Sequence, residues 1–446
     1  MNTMVYPSTN FKATEQLIVA RGEGVYVYDD RGRRYLEGMA GLWCTSLGYG
    51  NEELIEAAEQ QMRTLTYSHM FGGKSHPVAM ELADKLAARV PVENARIFFG
   101  NSGSDANDTV MKLLRYHAMA TGQEQRFKVI ARDKGYHGVT MASAALTGIP
   151  TNHTHFQLPF EALGVLRTGS PHYYREAQVG ESEEAFVDRR MAELETLIQA
   201  EGPDTIAAFI AEPVNGAGGV IVPPKNYFQK LSQLLDKYGI MLWSDEVICG
   251  FGRLGEEFGA SAVGMQPAMM TFAKALSSAY MPLSAAAIPG ALYDELVEPV
   301  GQVGVFGHGY TYSGHPVACA VASKVLDIYE RDKLYVHAAH VGGRLQDRLR
   351  TLSDHPLVGE VRGMGLIAAV ELVANKETRE PFASNAVGVY CQKQCEERGL
   401  ILRALGGNSV AICPPLVITE EHVEDLVGTL AEALDATLDY VHAEKR

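Results

Sequence analysis

No stretch of this sequence approaches the ~20 consecutive apolar residues that a membrane span needs. Nor do Met1 to Asn10 show the basic and apolar regions of a secretory signal. Positive charge is scarce: 39 Lys and Arg stand against 54 Asp and Glu, a formal net charge of −15. That balance argues against nucleic acid or an acidic membrane surface as a partner. Cysteine is sparse too, with six in 446 residues: Cys44, Cys249, Cys319, Cys391, Cys395 and Cys413. Only Cys391 and Cys395 are close, at i and i+4 of an expected helix. No histidine or second cysteine pair is in register with them, so no metal site is expected. Reduced, scattered thiols fit a cytoplasmic protein. Internal repeats, heptads and low-complexity blocks are also missing.

What is present is a soluble core. Hydrophobic residues make up 46% of the chain and charged residues 21%, and the length suits one large domain beside a smaller one. Short apolar runs alternate with amphipathic ones through the middle. Strands are expected at Ala95–Phe99, Lys128–Arg132, Ile206–Ala211, Ile240–Ser244, Met270–Ala273 and Ala285–Ile288. A helix follows Gly100, with Ala106, Val110, Leu113, Leu114 and His117 on one face, and Tyr227–Lys237 is a second. Such alternation predicts an α/β fold with a mostly parallel central sheet. Val25–Leu36 reads as a hairpin turning at Asp29-Asp30-Arg31-Gly32. After Pro316 the pattern is a long helix, strands near 365–372 and 410–413, and a closing helix burying Val423, Leu426, Leu430, Leu434 and Leu438. Residues 61–315 are read as the large domain, and 1–60 with 316–446 as the smaller α+β domain.

Three segments carry chemistry. In Gly100-Asn101-Ser102-Gly103-Ser104-Asp105-Ala106, small residues join a strand to a helix start, where backbone N–H groups and the helix dipole favour an anion. The same run also reads as a capping box between Ser102 and Asp105. Trp243-Ser244-Asp245-Glu246-Val247 puts two acids at the C-terminal end of an apolar strand, the edge where open α/β sheets bind ligands. An ordinary arginine such as Arg253 could equally be their partner. Phe272-Ala273-Lys274-Ala275-Leu276 sets one lysine just past another strand. It is either snorkelling to solvent or a desolvated amine able to form an imine. Taken together, a phosphate cradle, an acid and a lysine match the handles of pyridoxal 5′-phosphate (PLP): phosphate, ring nitrogen and aldehyde.

From about Gly24 to Pro415 the sequence resembles the class III (omega) aminotransferases of the fold type I PLP-dependent enzymes. The motifs are Ser102-Gly103-Ser104-Asp105-Ala106, Gly135-Tyr136-His137-Gly138, Glu212-Pro213-Val214, Asp245-Glu246-Val247 with Gly252-Arg253, Ala273-Lys274 and Thr311-Tyr312-Ser313-Gly314-His315-Pro316. The resemblance implies Lys274 as the Schiff-base lysine and Asp245 paired with the ring nitrogen. Tyr136 would stack on the ring, Val247 would press on its other face, and Ser102, Gly103 and Ser104 would hold the phosphate. Thr311 resembles a phosphate contact supplied by a neighbouring subunit, which implies a homodimer with shared active sites, open to pairing into a tetramer. The implied reaction is ping-pong transfer of an amino group from a small-molecule amine to a keto acid.

Two places bear on substrate. Arg403 lies between apolar residues and carries the planar fork suited to a carboxylate. By the resemblance it is the arginine that binds the acceptor's carboxylate; the alternative is half of a structural ion pair. In relatives acting on ornithine or 4-aminobutyrate, a glutamate in the Glu-Pro-Ile-Gln-x-Glu stretch neutralises this arginine. Here the run is Glu212-Pro213-Val214-Asn215-Gly216-Ala217, and Ala217 takes that place. This departure favours pyruvate as acceptor, as in amine:pyruvate and β-alanine:pyruvate aminotransferases. Leu42-Trp43-Cys44 and Met70-Phe71 are expected to line an apolar pocket beside the cofactor, although Trp43 could instead be a core aromatic. The alternatives are a 2-oxoglutarate-dependent aminotransferase, decarboxylase, racemase or aminomutase on the same scaffold. A nucleotide-binding protein is poorly supported, since no Gly-x-x-x-x-Gly-Lys-Ser/Thr or Gly-x-Gly-x-x-Gly follows a strand.

Overall fold

The computed structural model describes residues 3–9, 16–297 and 300–444. Its centre is a seven-stranded sheet of β1 (Arg96–Gly100), β2 (Lys128–Arg132), β3 (Val165–Thr168), β4 (Ile206–Ala211), β5 (Met241–Asp245), β6 (Met269–Phe272) and β7 (Ser284–Ile288). The spatial order is β1-β7-β6-β5-β4-β2-β3. Five neighbouring strands, β6 to β3, run parallel, while β7 is antiparallel to both β1 and β6. A parallel sheet is covered on both faces, so its strands are apolar throughout. Every residue of β4 is buried. Alternate side chains enter different cores, Phe209 and Ala211 on one face and Ala208 and Ile210 on the other.

Strand β3 is not anticipated by the sequence reading. It lies at the sheet edge and is only half-buried along its length, and it carries Arg167, which donates to the carbonyls of Leu146 and Ala145. At this edge the strand lacks the longer apolar runs of β2 and β4.

Helix α1 (Gly103–Ala120) follows β1. Ser102 is its N-cap, and the expected capping box with Asp105 is formed. A second sheet joins both ends of the chain: Val19–Glu23, Tyr26–Asp29 and Arg34–Glu37 are antiparallel, and Leu400–Ile401 adds in parallel to the last. The hairpin turn closes on Asp29, whose Oδ1 accepts the N–H groups of Arg31 and Arg33. A third sheet comprises Val358–Met364, Ile367–Leu372, Ser409–Ile412 and Arg403–Leu405. Val423, Leu426, Leu430 and Leu434 of the last helix are buried, and Leu438 is partly so. No helix among the described residues is long and apolar enough to cross a membrane.

Candidate active site

The C-terminal ends of β1, β5 and β6 open on one cleft of about 350 Å³, lined by Ser102, Gly103, Ser104, Tyr136, Asp245, Val247 and Lys274 among others. These seven sequence candidates come from four separate segments and meet at the strand ends where such sheets bind ligands.

Asp245 is 2% exposed. Its Oδ2 accepts an N–H of Asn107 at 2.9 Å and pairs with His137 Nδ1 at 2.8 Å, and its Oδ1 accepts the Val247 backbone N–H at 3.1 Å. Arg253 is not its partner, because that guanidinium donates to the carbonyls of Leu366 and Pro414. Behind Asp245 runs a directed chain. The Trp243 indole N–H donates to Thr271 Oγ1 (3.2 Å), and the Thr271 hydroxyl donates to Asn107 Oδ1 (2.8 Å). That leaves both amide protons of Asn107 for Asp245 and the His137 carbonyl. A buried polar group with every donor and acceptor matched is rigid, so the carboxylate is held in one orientation. Asn107 and Thr271 are absent from the sequence reading. The one available signal is an asparagine, a weak helix former, on the apolar face of α1.

Lys274 adopts a left-handed backbone (φ 46°) just past β6. Such strain costs roughly 1–3 kcal/mol and is characteristic of functional sites. Its amine has no hydrogen-bond or ion-pair partner among the described residues. Burial lowers the amine pKa from its ordinary value, opposed chiefly by the Asp245 carboxylate.

The cradle is tightly built. The Asp105 carboxylate accepts the N–H groups of Asn101 and Ser102 and the Ser284 hydroxyl. A Cβ on Gly103 would meet Val247 at 3.0 Å, so only glycine fits there without displacing a cleft wall. Gly103 and Ser104 open the helix, where N–H groups have no intrahelical acceptor. The Ser104 hydroxyl accepts the Val139 N–H and keeps its own proton to donate. Glu212, from the Glu212-Pro213-Val214 motif, accepts the Tyr136 N–H on Oε1 and the Gly216 N–H on Oε2. Burial raises its pKa, eased by His137.

Four candidates are not among the residues that line this cleft. Trp43 is 2% exposed and packs with Met39, Ile248 and Leu405. Ile248 also lines the cleft, so Trp43 sits behind the wall and is not part of the lining that was expected. The cause is local: Ala40, Gly41 and Trp43 all have positive φ, which turns the indole into the core. Phe71 is half-exposed and lines a different cavity with Met70, Gly309 and Ser313. Thr311 is exposed, and its carbonyl accepts the Tyr67 hydroxyl at 2.7 Å. The expected pocket of Met70-Phe71 beside Lys274 is therefore not formed within one chain, because the segment packs against the 309–313 loop. Arg403 is half-buried, without an ion-pair or hydrogen-bond partner for its side chain among the described residues. The alternative of a structural ion pair is thus not found. The phenol of Tyr136 and the guanidinium of Arg403 act on each other electrostatically.

An oriented buried carboxylate, an unpaired amine and an anion cradle around one cleft fit the three handles of PLP. Residues 8–434 match the model of the aminotransferase class III family. The chain belongs to the class III aminotransferases. It is 44% identical to a probable gamma-aminobutyrate transaminase 3, mitochondrial, of Oryza sativa subsp. indica, covering 94% of this chain and 82% of the relative. To gamma aminobutyrate transaminase 1, mitochondrial, of Solanum lycopersicum it is also 44% identical, over 95% and 82%. Among solved structures, the omega transaminase from Pseudomonas jessenii in complex with PMP superposes with a TM-score of 0.96 at 49% identity, covering 98% of this chain and 97% of that one. A variant of a thermostable omega transaminase, altered at a tryptophan, a phenylalanine and an arginine for asymmetric synthesis of bulky amines, gives 0.96 at 48%, covering 98% of both chains. This aminotransferase is accordingly a PLP-dependent enzyme of fold type I that moves an amino group between small-molecule amino and keto compounds.

Proposed function

We propose that this aminotransferase takes its amino group from an amine or omega-amino acid and delivers it to pyruvate, in a ping-pong cycle. The observation that carries the reading is Arg403: a half-buried guanidinium without a protein anion, beside Tyr136 of the cleft. An unpaired buried charge is costly unless a ligand supplies its partner. Ala217 leaves no glutamate at the place where the ornithine and 4-aminobutyrate group carries one. The gamma-aminobutyrate relatives favour a second donor, a four-carbon omega-amino acid, and 2-oxoglutarate is the alternative acceptor.

When bound, PLP supplies an electron-accepting ring and a carbonyl that an amine can take. Asp245, held by Asn107 and His137, would keep the ring nitrogen protonated. Gly103, Ser104 and the Ser102 hydroxyl would hold the phosphate, with Tyr136 and Val247 confining the ring. Lys274, whose amine burial holds below its ordinary pKa, would take the substrate's α-proton on Nζ and return it to another carbon. Free cysteines that are buried or half-buried support the cytoplasm as its compartment.

Removing a bidentate charged contact costs a few kcal/mol. Arg403→Ala should therefore raise the apparent KM for pyruvate by roughly two orders of magnitude, while the half-reaction with a simple amine barely changes. Single-turnover measurement of each half-reaction checks this. Equal losses in both would make Arg403 structural and remove the support for pyruvate.

The same proposal includes a homodimer with shared sites. Phe71 and the Thr311 loop share one exposed surface, so if Thr311 reaches a partner's phosphate site, Phe71 travels with it. Trp43 would then shape the substrate pocket from behind Ile248, and Phe71 from across the interface. Sedimentation should show a dimer down to low concentration, with activity lost on dissociation. A fully active monomer would contradict the arrangement.

A further inference from the structure

The loop that carries Thr311 is fastened to the cradle of its own chain. Lys112 Nζ lies 3.1 Å from His308 Nδ1. An ammonium can only donate, so Nδ1 accepts, and the single proton of the neutral ring sits on Nε2. Burial and Lys112 hold the imidazole pKa below its ordinary value, against a smaller opposing pull from Asp105. Nε2 is 2.8 Å from Thr109 Oγ1. That hydroxyl accepts from the ring and donates in turn to the Asp105 carbonyl at 2.7 Å. The Tyr310 hydroxyl donates to the same carbonyl at 3.0 Å. The His308 ring stacks on Phe98, with centroids 5.6 Å apart and planes 22° from parallel. Every donor in the series Lys112, His308, Thr109 thus points toward the first turn of α1.

Asp105 is the member common to both structures. Its carboxylate closes the turn at Asn101 and Ser102, and its carbonyl is where Thr109 and Tyr310 fasten. Moving the loop must pull on the cradle, and moving the cradle must pull on the loop. We propose that His308 and Tyr310 are positioning residues that couple the two active sites of a dimer, by tying the Thr311 offered to one site to the cradle turn of the other. The inference rests on the reading that Thr311 completes a partner's phosphate site.

Loss of PLP from holoenzyme on dilution, followed by its absorbance, tests the coupling without any turnover. Tyr310→Phe removes one oxygen and keeps the packing, and should release PLP roughly 2- to 10-fold faster, the worth of one hydrogen bond. His308→Phe keeps the stacking on Phe98 but breaks the series, and should exceed that. The decisive sample is a heterodimer of one His308→Phe chain and one parent chain. Both equivalents of PLP should leave faster than from the parent, because the altered chain loosens its own cradle and misplaces the Thr311 it lends. Half the cofactor leaving at the parent rate would overturn the coupling and make the latch local. Thr311→Ala separates the two readings. If that homodimer keeps PLP as well as the parent, the loop completes no partner site and the coupling falls with it. If it releases PLP faster while the heterodimer retains half, only the coupling fails.

Discussion

Replacing Lys274 by alanine should abolish turnover while leaving a folded protein that still takes up PLP. Loss of the proton-transferring amine alone is worth on the order of 10²–10⁴-fold, and covalent capture of the cofactor is lost with it. Retention follows from the separateness of the cradle, whose Asp105 contacts do not involve the lysine. The substitution also breaks no hydrogen bond or ion pair, because the Lys274 amine has none among the described residues. Borohydride reduction of the parent should fix the cofactor to one peptide, the one containing Lys274. A label on any other lysine, or a Lys274→Ala protein with appreciable activity, would sink the assignment.

Asp245→Asn should lower kcat by about three orders of magnitude, a barrier increase of ~4 kcal/mol at ~1.4 kcal/mol per factor of ten. The new amide can keep its oxygen toward Asn107 and His137, which preserves those two hydrogen bonds. Its NH₂ then faces the Val247 N–H that now donates to Oδ1. The fold should survive with a modest loss of stability, but no anion remains to hold a proton on the ring nitrogen. Steady-state kinetics with thermal unfolding as a control would check this. Activity near the parent's would refute the role of Asp245.

The strands legible in the sequence are those with a continuous apolar run, Ile97 to Phe99 of edge strand β1 included. β2 and β4 carry uninterrupted apolar runs, whereas edge strand β3, holding Arg167, has none. The cleft was readable because three of its groups stand just past apolar strands, and strand ends in such a sheet converge. What supports those groups was not readable. Asn107, Thr271 and Trp243 form one hydrogen-bonded chain, yet they belong to a helix and two strands far apart in the sequence. The choice between a pocket and a core place for Trp43 depends on backbone angles, three of them positive between Ala40 and Trp43, which composition does not reveal. Phe71 and Thr311 were recognised singly, and their shared surface exists only in three dimensions.

The antiparallel strand β7 has a consequence for how the molecule is made. β1, which leads into the anion cradle, is an edge strand whose one sheet neighbour is β7, encoded long after it. As the chain leaves the ribosome, β1 waits unpaired through the synthesis of β2 to β6, with Ile97, Phe98 and Phe99 uncovered. Pairings so distant in sequence form slowly because loop closure precedes any reward, and exposed apolar edges invite wrong partners meanwhile. In the finished sheet β7 lies between β6 and β1, so β1 has no sheet partner until β7 is in place. A nascent chain halted before Ser284 would hold Asp245 and Lys274 but lack both the strand that pairs with β1 and the Ser284 hydroxyl that braces Asp105.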